Sequence, residues 1–317
     1  MLFRSVCGTQ TAFAQDYPAR NITVVVPFPA GGPSDVVARI VAEAMGRTLG
    51  HTLVIENVAG AGGTIGSARV ATASPDGYTL LAGSMGSHVA APVLTPNIKY
   101  DPAKDFVAIG PTAHSPAVVV ARKDFPARDF KEFAADLKEN GARFKQAHGG
   151  IGASSHMACV LFNTAIGASP TSVAYRGTGP AMNDLLGGQV DLLCDQTTQT
   201  VPMIKENRIK VYGVTTLKRL SALPNVPTLD EQGNKGFEVK VWHGMYAPKG
   251  TPKDVLDKLN AALRAAMNDP MVKQRLADLS SEIPSADKIS SEGLRTHLDA
   301  EIKKWGPVIT KAGIYAD

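Results

Sequence analysis

Hydrophobic positions in the first hundred residues alternate between two periods. The run NITVVVPF (21–28) is β-branched and nearly unbroken, as a strand buried on both faces is. It ends at PAGGPSD (29–35), after which Val36, Val37, Ile40, Val41, Ala44, Met45 and Leu49 recur at helical spacing. TLVIENV (52–58) predicts a second strand, and GAGGT (60–64) leads into a helix over Ile65 to Ala71. SPDGY (74–78) is a turn, YTLLAG (78–83) a third strand, and SMGSH (84–88) opens another helix. Repeated strand–loop–helix units of this length predict an α/β fold, with a parallel sheet covered by helices.

The pattern then repeats. FVAIGPTAHSPAVVVARKDF (106–125) reads as two strand-like stretches separated by a Pro-containing break. A helix follows from about Asp129 to Glu139, and GGIGASSHM (149–157) opens another that runs through Ile166. TSVAYRGTGPAMNDLLGGQ (171–189) is strand, loop and helix, VDLLCDQTTQT (190–200) a strand and a polar loop, and IKVYGVTT (209–216) a further strand. EVKVWHGMYAPKGTP (238–252) is strand-like and then rich in Pro and Gly. Two C-terminal helices are expected. One spans Lys253 to Met267; the other carries a stripe of Leu294, Leu298, Ile302, Trp305 and Ile309 and ends near Gly313. They lack a sheet of their own, so they are placed against the first unit. Domain 1 is then 15–113 with 227–317, and domain 2 is 114–226. Two crossings between them make a hinge with a cleft between the lobes.

Composition narrows the function. Of 317 residues, 44% are hydrophobic and 20% charged, the balance of an ordinary globular protein. Lys and Arg number 33 against 29 Asp and Glu, and the basic residues do not cluster, while aromatics are only 6%. A nucleic-acid groove needs a basic stripe, often with stacking rings, so no nucleic-acid partner is expected. No apolar run approaches a membrane span; SPAVVVA (115–121) is among the longest. Ala12-Phe13-Ala14 has the form of a signal-peptidase site, which makes residues 1–14 a signal-peptide remnant and the mature protein exported and periplasmic. Ser5 to Thr11 is polar and short for the apolar part of such a signal, which points to a start further upstream or a misassigned one; the alternative is a disordered cytoplasmic tail. Cys7 would leave with the signal. Cys159 and Cys194 read as small buried hydrophobes, with a disulfide between them as the alternative. No Cys/His grouping has zinc spacing, so neither a metal nor a cofactor is expected.

The polar Gly/Ser/Thr loops carry the candidate chemistry. PFPAGGPSD, AGSMGSH, GIGASSH, YRGTGPA and CDQTTQT each follow a strand and precede a helix, where open parallel sheets bind ligands. Glycines let backbone N–H groups approach a ligand, and helix N-termini add unpaired donors and partial positive charge. Several such ends on one cleft would hold a carboxylate without many cations. Taken singly, each loop has a plain alternative, since Ser34 or Ser154 also fits a helix N-cap. Among Asp35, Asp191 and Asp195, one is expected at the ligand and the others as caps or braces. Enzyme motifs fail: GAGGTIG (60–66) has Ile65 in place of a third glycine, no Gly-Lys-Ser/Thr follows any glycine loop, and neither G-x-S-x-G nor H-E-x-x-H occurs. A hydrolase using Ser154 or Ser155 with His156 is the enzymatic alternative, although adjacent Ser-Ser-His is poor geometry for a triad.

The strings YPARNITVVVPFPAGGPSDVVARIVAEAMGRTLG and VIENVAGAGGTIGSARVATASPDGYTLL resemble the Bug family, the extracytoplasmic solute receptors of tripartite tricarboxylate transporters. The likeness continues through YDPAKDFVAIG, GIGASSHMA, VAYRGTGPAMNDLLGGQVDLLCDQ, LPNVPTLDEQG and WHGMYAPKGTP to EIKKWGPVITKAGI. It implies a two-lobed type II periplasmic-binding-protein fold with a Venus-flytrap cleft and two hinge crossings. It also implies a non-enzymatic, monomeric receptor that passes a small aromatic or aliphatic carboxylate to membrane permease subunits. Carried over by position, the implied ligand-binding residues are Phe28, Ala30, Gly31, Gly32, Ser34 and Asp35 of the first loop, and Ser84, Met85, Ser87 and His88 of AGSMGSH. Gly152, Ala153, Ser154 and Ser155 follow from GIGASSH, and Tyr175, Arg176, Asp195, Gln196 and Thr197 from the last loops. Arg176 is either a bidentate carboxylate ligand or a surface cation. Trp242 is read as hinge packing rather than cleft lining. A receptor that signals to a membrane sensor kinase keeps the fold and changes the output.

Overall fold

Strand and helix alternate along most of the chain. The structure is a computed structural model that describes residues 17–312. The expected signal remnant 1–14, Cys7 and the helix end at Gly313 lie outside the described residues. β1 (Ile22–Val26), α1 (Pro33–Leu49), β2 (Leu53–Asn57), α2 (Thr64–Ala71) and β3 (Thr79–Ser84) form the first units, followed by a π-helical turn (Gly86–Ala90) and the short α3 (Ala91–Leu94). β4 (Phe106–Arg122) and α4 (Phe130–Asn140) lead to β5 (Lys145–His148), α5 (Ser154–Ile166), β6 (Thr171–Ala174), α6 (Thr178–Leu186), β7 (Leu192–Gln196), α7 (Thr197–Lys205) and β8 (Ile209–Val214). β9 (Lys240–Pro248), α8 (Lys253–Asn268), α9 (Pro270–Asp278) and α10 (Ser291–Ala312) complete the chain.

Local chemistry sets the ends that matter. Pro33 opens α1, where its missing N–H costs nothing, and Gly50 closes it in the left-handed region. Asp129 caps α4 by accepting from the Glu132 amide.

The strand order is β2-β1-β3-β9-β4-β7-β5-β6, with β8 also on β4. β1 lies parallel between β2 and β3, and β5 lies parallel between β6 and β7, so the same arrangement is built twice. β4 joins the two halves. Phe106–Pro116 pairs antiparallel with β9, and Ala117–Arg122 pairs with β7 and β8. One apolar cluster packs α1 and α8 on the first half through Val41, Met45, Leu259 and Leu263. Another packs α6 and α7 on the second through Met182, Leu185 and Val201. A third runs between the halves from Phe133 and Phe162 to Trp242, and takes in the α10 stripe of Leu294, Leu298, Trp305 and Ile309. Among the described residues no helix is long and apolar enough to cross a membrane.

Three expectations are corrected. The Pro-containing break in 106–125 is absent: β4 runs through it, because register shifts at Ala108/Gly110 and Pro111/Ala113 take up the irregular backbone. The polar loop expected after β7 is the start of a helix, since Thr197 to Thr200 form the first turn of α7; its hydroxyl-rich sequence and Pro202 conceal the period. Three C-terminal helices replace two. α9 carries its own signal, Asp269 accepting from the Met271 and Val272 amides with Pro270 at the first helical position.

Candidate ligand-binding crevice

The strand ends of the two halves face each other across a narrow crevice of about 20 Å³, roughly the space of one water. Phe28, Gly32, Pro33 and Ser34 form one wall with Ser84; Gly149, Ala153, Ser154, Ser155, Gly177, Thr178, Asp195 and Gln196 form the other. The helices α1, α5, α6 and α7 all begin here. Amides in the first turn of a helix have no carbonyl one turn back, and they carry the positive end of the helix dipole. Ser34 in α1, Ser154 and Ser155 in α5, and Thr178 in α6 lie in such turns. Among the described residues no Lys or Arg lines the crevice. The arrangement suits an anion held by main-chain donors.

The first loop is held in place by a side chain that does not face the ligand space. Asp35 accepts from the Gly31 amide at 2.9 Å, from Arg39 Nε at 2.8 Å and from Asn57 Nδ2 at 2.9 Å, while Asn57 also donates to the Phe28 carbonyl at 2.9 Å. Burial pushes its carboxyl up, but these hydrogen bonds outweigh burial and leave it below the usual carboxylate value. Opposite, Ser155 Oγ accepts from the Gly149 amide at 2.9 Å and keeps its own hydrogen to donate.

Asp195 behaves differently. It is 2% exposed, and its Oδ2 has no protein partner. Burial raises its carboxyl to about 7, against the opposing pull of the Gln196 amide and the Thr178 hydroxyl. Asp191 is a brace, accepting from Arg122 Nε at 2.9 Å and from the Lys145 amide at 2.7 Å.

Not every residue singled out in the sequence meets the crevice. Phe28, Gly32, Ser34, Ser84, Ala153, Ser154, Ser155, Asp195 and Gln196 line it. Ala30 and Gly31 are exposed on the first loop, and Asp35 braces that loop. Met85, Ser87 and His88 are turned into the core, where His88 stacks on Tyr246 at 4.3 Å. Gly152 packs on Ala91, Tyr175 is tied to Asp184 by a 2.6 Å hydrogen bond, Arg176 is exposed, and Thr197 is buried behind the wall. Pro33, Gly149, Gly177 and Thr178 also line the crevice and were not singled out. The signal for the last two was present: RGTG offers glycine backbone and a hydroxyl at a helix start, a better fit to main-chain recognition than the Tyr175 ring before it.

Among the described residues no serine and histidine form a nucleophile–base pair in the crevice. The Ser87 Oγ to His88 Nδ1 contact of 3.0 Å is buried in the core. His156 Nδ1 has no partner, and its ring sits against His148 at 4.6 Å. Cys159 and Cys194 are both buried and free. Among the described residues no group of three or more His, Cys, Asp or Glu is placed to hold a metal.

Residues 37–314 match the model of the tripartite tricarboxylate transporter family receptor, TctC. The chain belongs to the TctC family. A curated TctC relative, the UPF0065 protein in the TAR-I ttuE-ttuC' intergenic region of Agrobacterium vitis, is 44% identical over 303 residues, covering 95% of this chain and 87% of the relative. The solved periplasmic binding protein BugD superposes with a TM-score of 0.92 at 46% identity, over 95% of this chain and all (100%) of BugD. MatC from Rhodopseudomonas palustris with bound malate gives a TM-score of 0.89 at 41% identity, over 92% of this chain and 100% of MatC. The fold is thus that of the TctC and Bug periplasmic binding proteins, and the chain is a solute-binding receptor of that type rather than an enzyme.

Proposed function

We propose that this receptor is exported, captures a small carboxylate in the crevice and delivers it, as a monomer, to the membrane permease of a tripartite tricarboxylate transporter. The observation that carries the reading is the meeting of helix N-termini from both halves at a crevice that no described Lys or Arg lines. Ser34 and the first-turn amides of α1 take one side of the carboxylate, Ser154 and Ser155 take the other, and Phe28 covers it with apolar surface. Malate, bound by the similar MatC, makes a small dicarboxylate the first candidate. The lobes are proposed as 15–113 with 227–317, and 114–226; the switch of β4 from β9 to β7 and β8 after Pro116 supports a hinge close to that boundary.

A thermal-shift series over malate, succinate, adipate and benzoate tests the reading. An acid that binds only the folded state, at about 100 times its Kd, adds about 2.7 kcal/mol to stability. At least one of these acids is expected to raise the melting temperature by several degrees and to be recovered unchanged. No shift with any small carboxylate, or steady conversion of one, would sink the proposal.

A further inference from the structure

Behind the crevice wall, His243 Nε2 and Gln196 Oε1 lie 2.7 Å apart, with both residues buried. His243 sits on β9, opposite Ser84 of β3 and Ala113 of β4. Gln196 ends β7 and precedes α7. The hydrogen bond therefore crosses from one half of the molecule to the other. Gln196 lines the crevice, and among the described residues its amide nitrogen has no protein partner.

An imidazole nitrogen against a carboxamide has two self-consistent arrangements. With the hydrogen on Nε2, the ring donates to Oε1 and leaves the amide NH2 for the crevice. With the hydrogen on Nδ1, Nε2 accepts from the amide and the carbonyl oxygen is left instead. Burial, with His114 adding to it, pushes the His243 ring down to about 3, so the ring is neutral and only one arrangement holds at a time. The two present opposite faces to a bound acid. A carbonyl oxygen would add a second unpaired acceptor beside Asp195 Oδ2, which already lacks a partner, and would repel an anion. The NH2 group would hold it.

We propose that His243, protonated on Nε2, holds the Gln196 amide with its NH2 turned into the crevice, making Gln196 a specificity-determining donor to an oxygen of the bound acid and His243 its positioning residue. This rests on the carboxylate reading above, and the test separates the two. The ¹⁵N spectrum of the imidazoles in ligand-free protein reports the tautomer directly. Nε2–H is expected for His243, with its signal shifting in Gln196→Met; Nδ1–H overturns the proposal whatever binds. Titration calorimetry with malate, succinate, adipate and benzoate supplies the second arm. Gln196→Met and His243→Phe are each expected to weaken the acid that binds the parent by about tenfold, and Gln196→Glu by more, because a donor becomes an anion. Gln196→Met lies on the crevice wall, so it decides the matter even if His243→Phe fails to fold. An acid that binds parent and Gln196→Met equally overturns the proposal. If the parent binds none of these acids, the carboxylate reading fails, and the tautomer alone still supports or overturns the His243–Gln196 assignment.

Discussion

Asp35 and Asp195 both stand at a strand-to-helix junction, yet their surroundings drive them in opposite directions. Asp35 accepts from three donors, so it titrates below its usual value; its contribution to stability is present above the unfolded carboxylate range and is lost as acid protonates the folded protein. Asp195 is buried with one oxygen unpartnered and titrates near 7. For a carboxyl raised in the folded state, the sign reverses. The favourable contribution is complete below about pH 4, is lost between there and about 7, and changes no further above. Asp195→Asn removes that loss. Urea unfolding should therefore show the variant and parent nearly equal at pH 4 and the variant more stable at pH 8, by on the order of 4 kcal/mol. Parallel pH profiles for the two proteins would refute this environment for Asp195. The same chemistry reaches the ligand. An ionised Asp195 would repel a carboxylate, so acid binding should weaken above pH 7 in the parent and be flatter with pH in the variant.

At the scale of loops and helices, closeness between the halves depends on missing side chains. Gly62, in the loop between β2 and α2, has φ +63°, and a Cβ there would lie 2.1 Å from the Ile151 carbonyl on the opposite half. Gly167, at the end of α5, has φ +68° and open space around it. Alanine at either position bears the same left-handed backbone cost of about 1 kcal/mol, but only Gly62→Ala meets the facing loop. Gly62→Ala should therefore lose more stability than Gly167→Ala, and only Gly62→Ala should also weaken acid binding measured by calorimetry; equal affinities would remove the glycine contact from the closure mechanism. The strand–Gly loop–helix rhythm made such loops legible in the sequence, because strands and amphipathic helices announce themselves by period and the loops fall between them. Which side chain in a loop faces the crevice was not legible. His88 follows Ser87 in the same loop as Ser84, but the π-helical turn aims it into the core; Asp35 follows Ser34, but three donors turn it away. The His243–Gln196 bond joins residues 47 apart in sequence, on β9 and β7, which flank β4 and which only the tertiary fold brings together. The start of α7 was hidden for a local reason, since Thr and Pro are poor helix formers whose place here is set by packing against β4.

For the whole molecule, the connection between halves decides what a bound acid can do. The chain passes from the first half to the second along β4 near Ala117 and returns near Val239. Thr215 ties the two passages together: its Oγ1 accepts from the Ala117 amide at 3.1 Å and lies 2.6 Å from the Val239 carbonyl, while the Val239 amide donates to the Thr215 carbonyl at 3.0 Å. Two passages braced side by side would permit bending about the seam and resist sliding. The apolar clusters on α1 with α8, and on α6 with α7, are each contained within one half, so bending would leave them intact, while the third cluster crosses the seam and would have to yield there. An acid touching Ser34 on one wall and Ser154 on the other makes both sets of contacts only when the crevice is shut, and its binding energy therefore favours the closed state by the difference in affinity for the two states. Small-angle scattering should record a smaller radius of gyration on adding the acid identified by thermal shift. Thr215→Val should retain the compaction but lower overall stability by about 1–3 kcal/mol, because the substitution leaves buried partners on both passages unsatisfied. An unchanged radius in the parent at saturating acid, with binding confirmed in the same sample, would mean that the halves stand closed without ligand and that capture proceeds by another route.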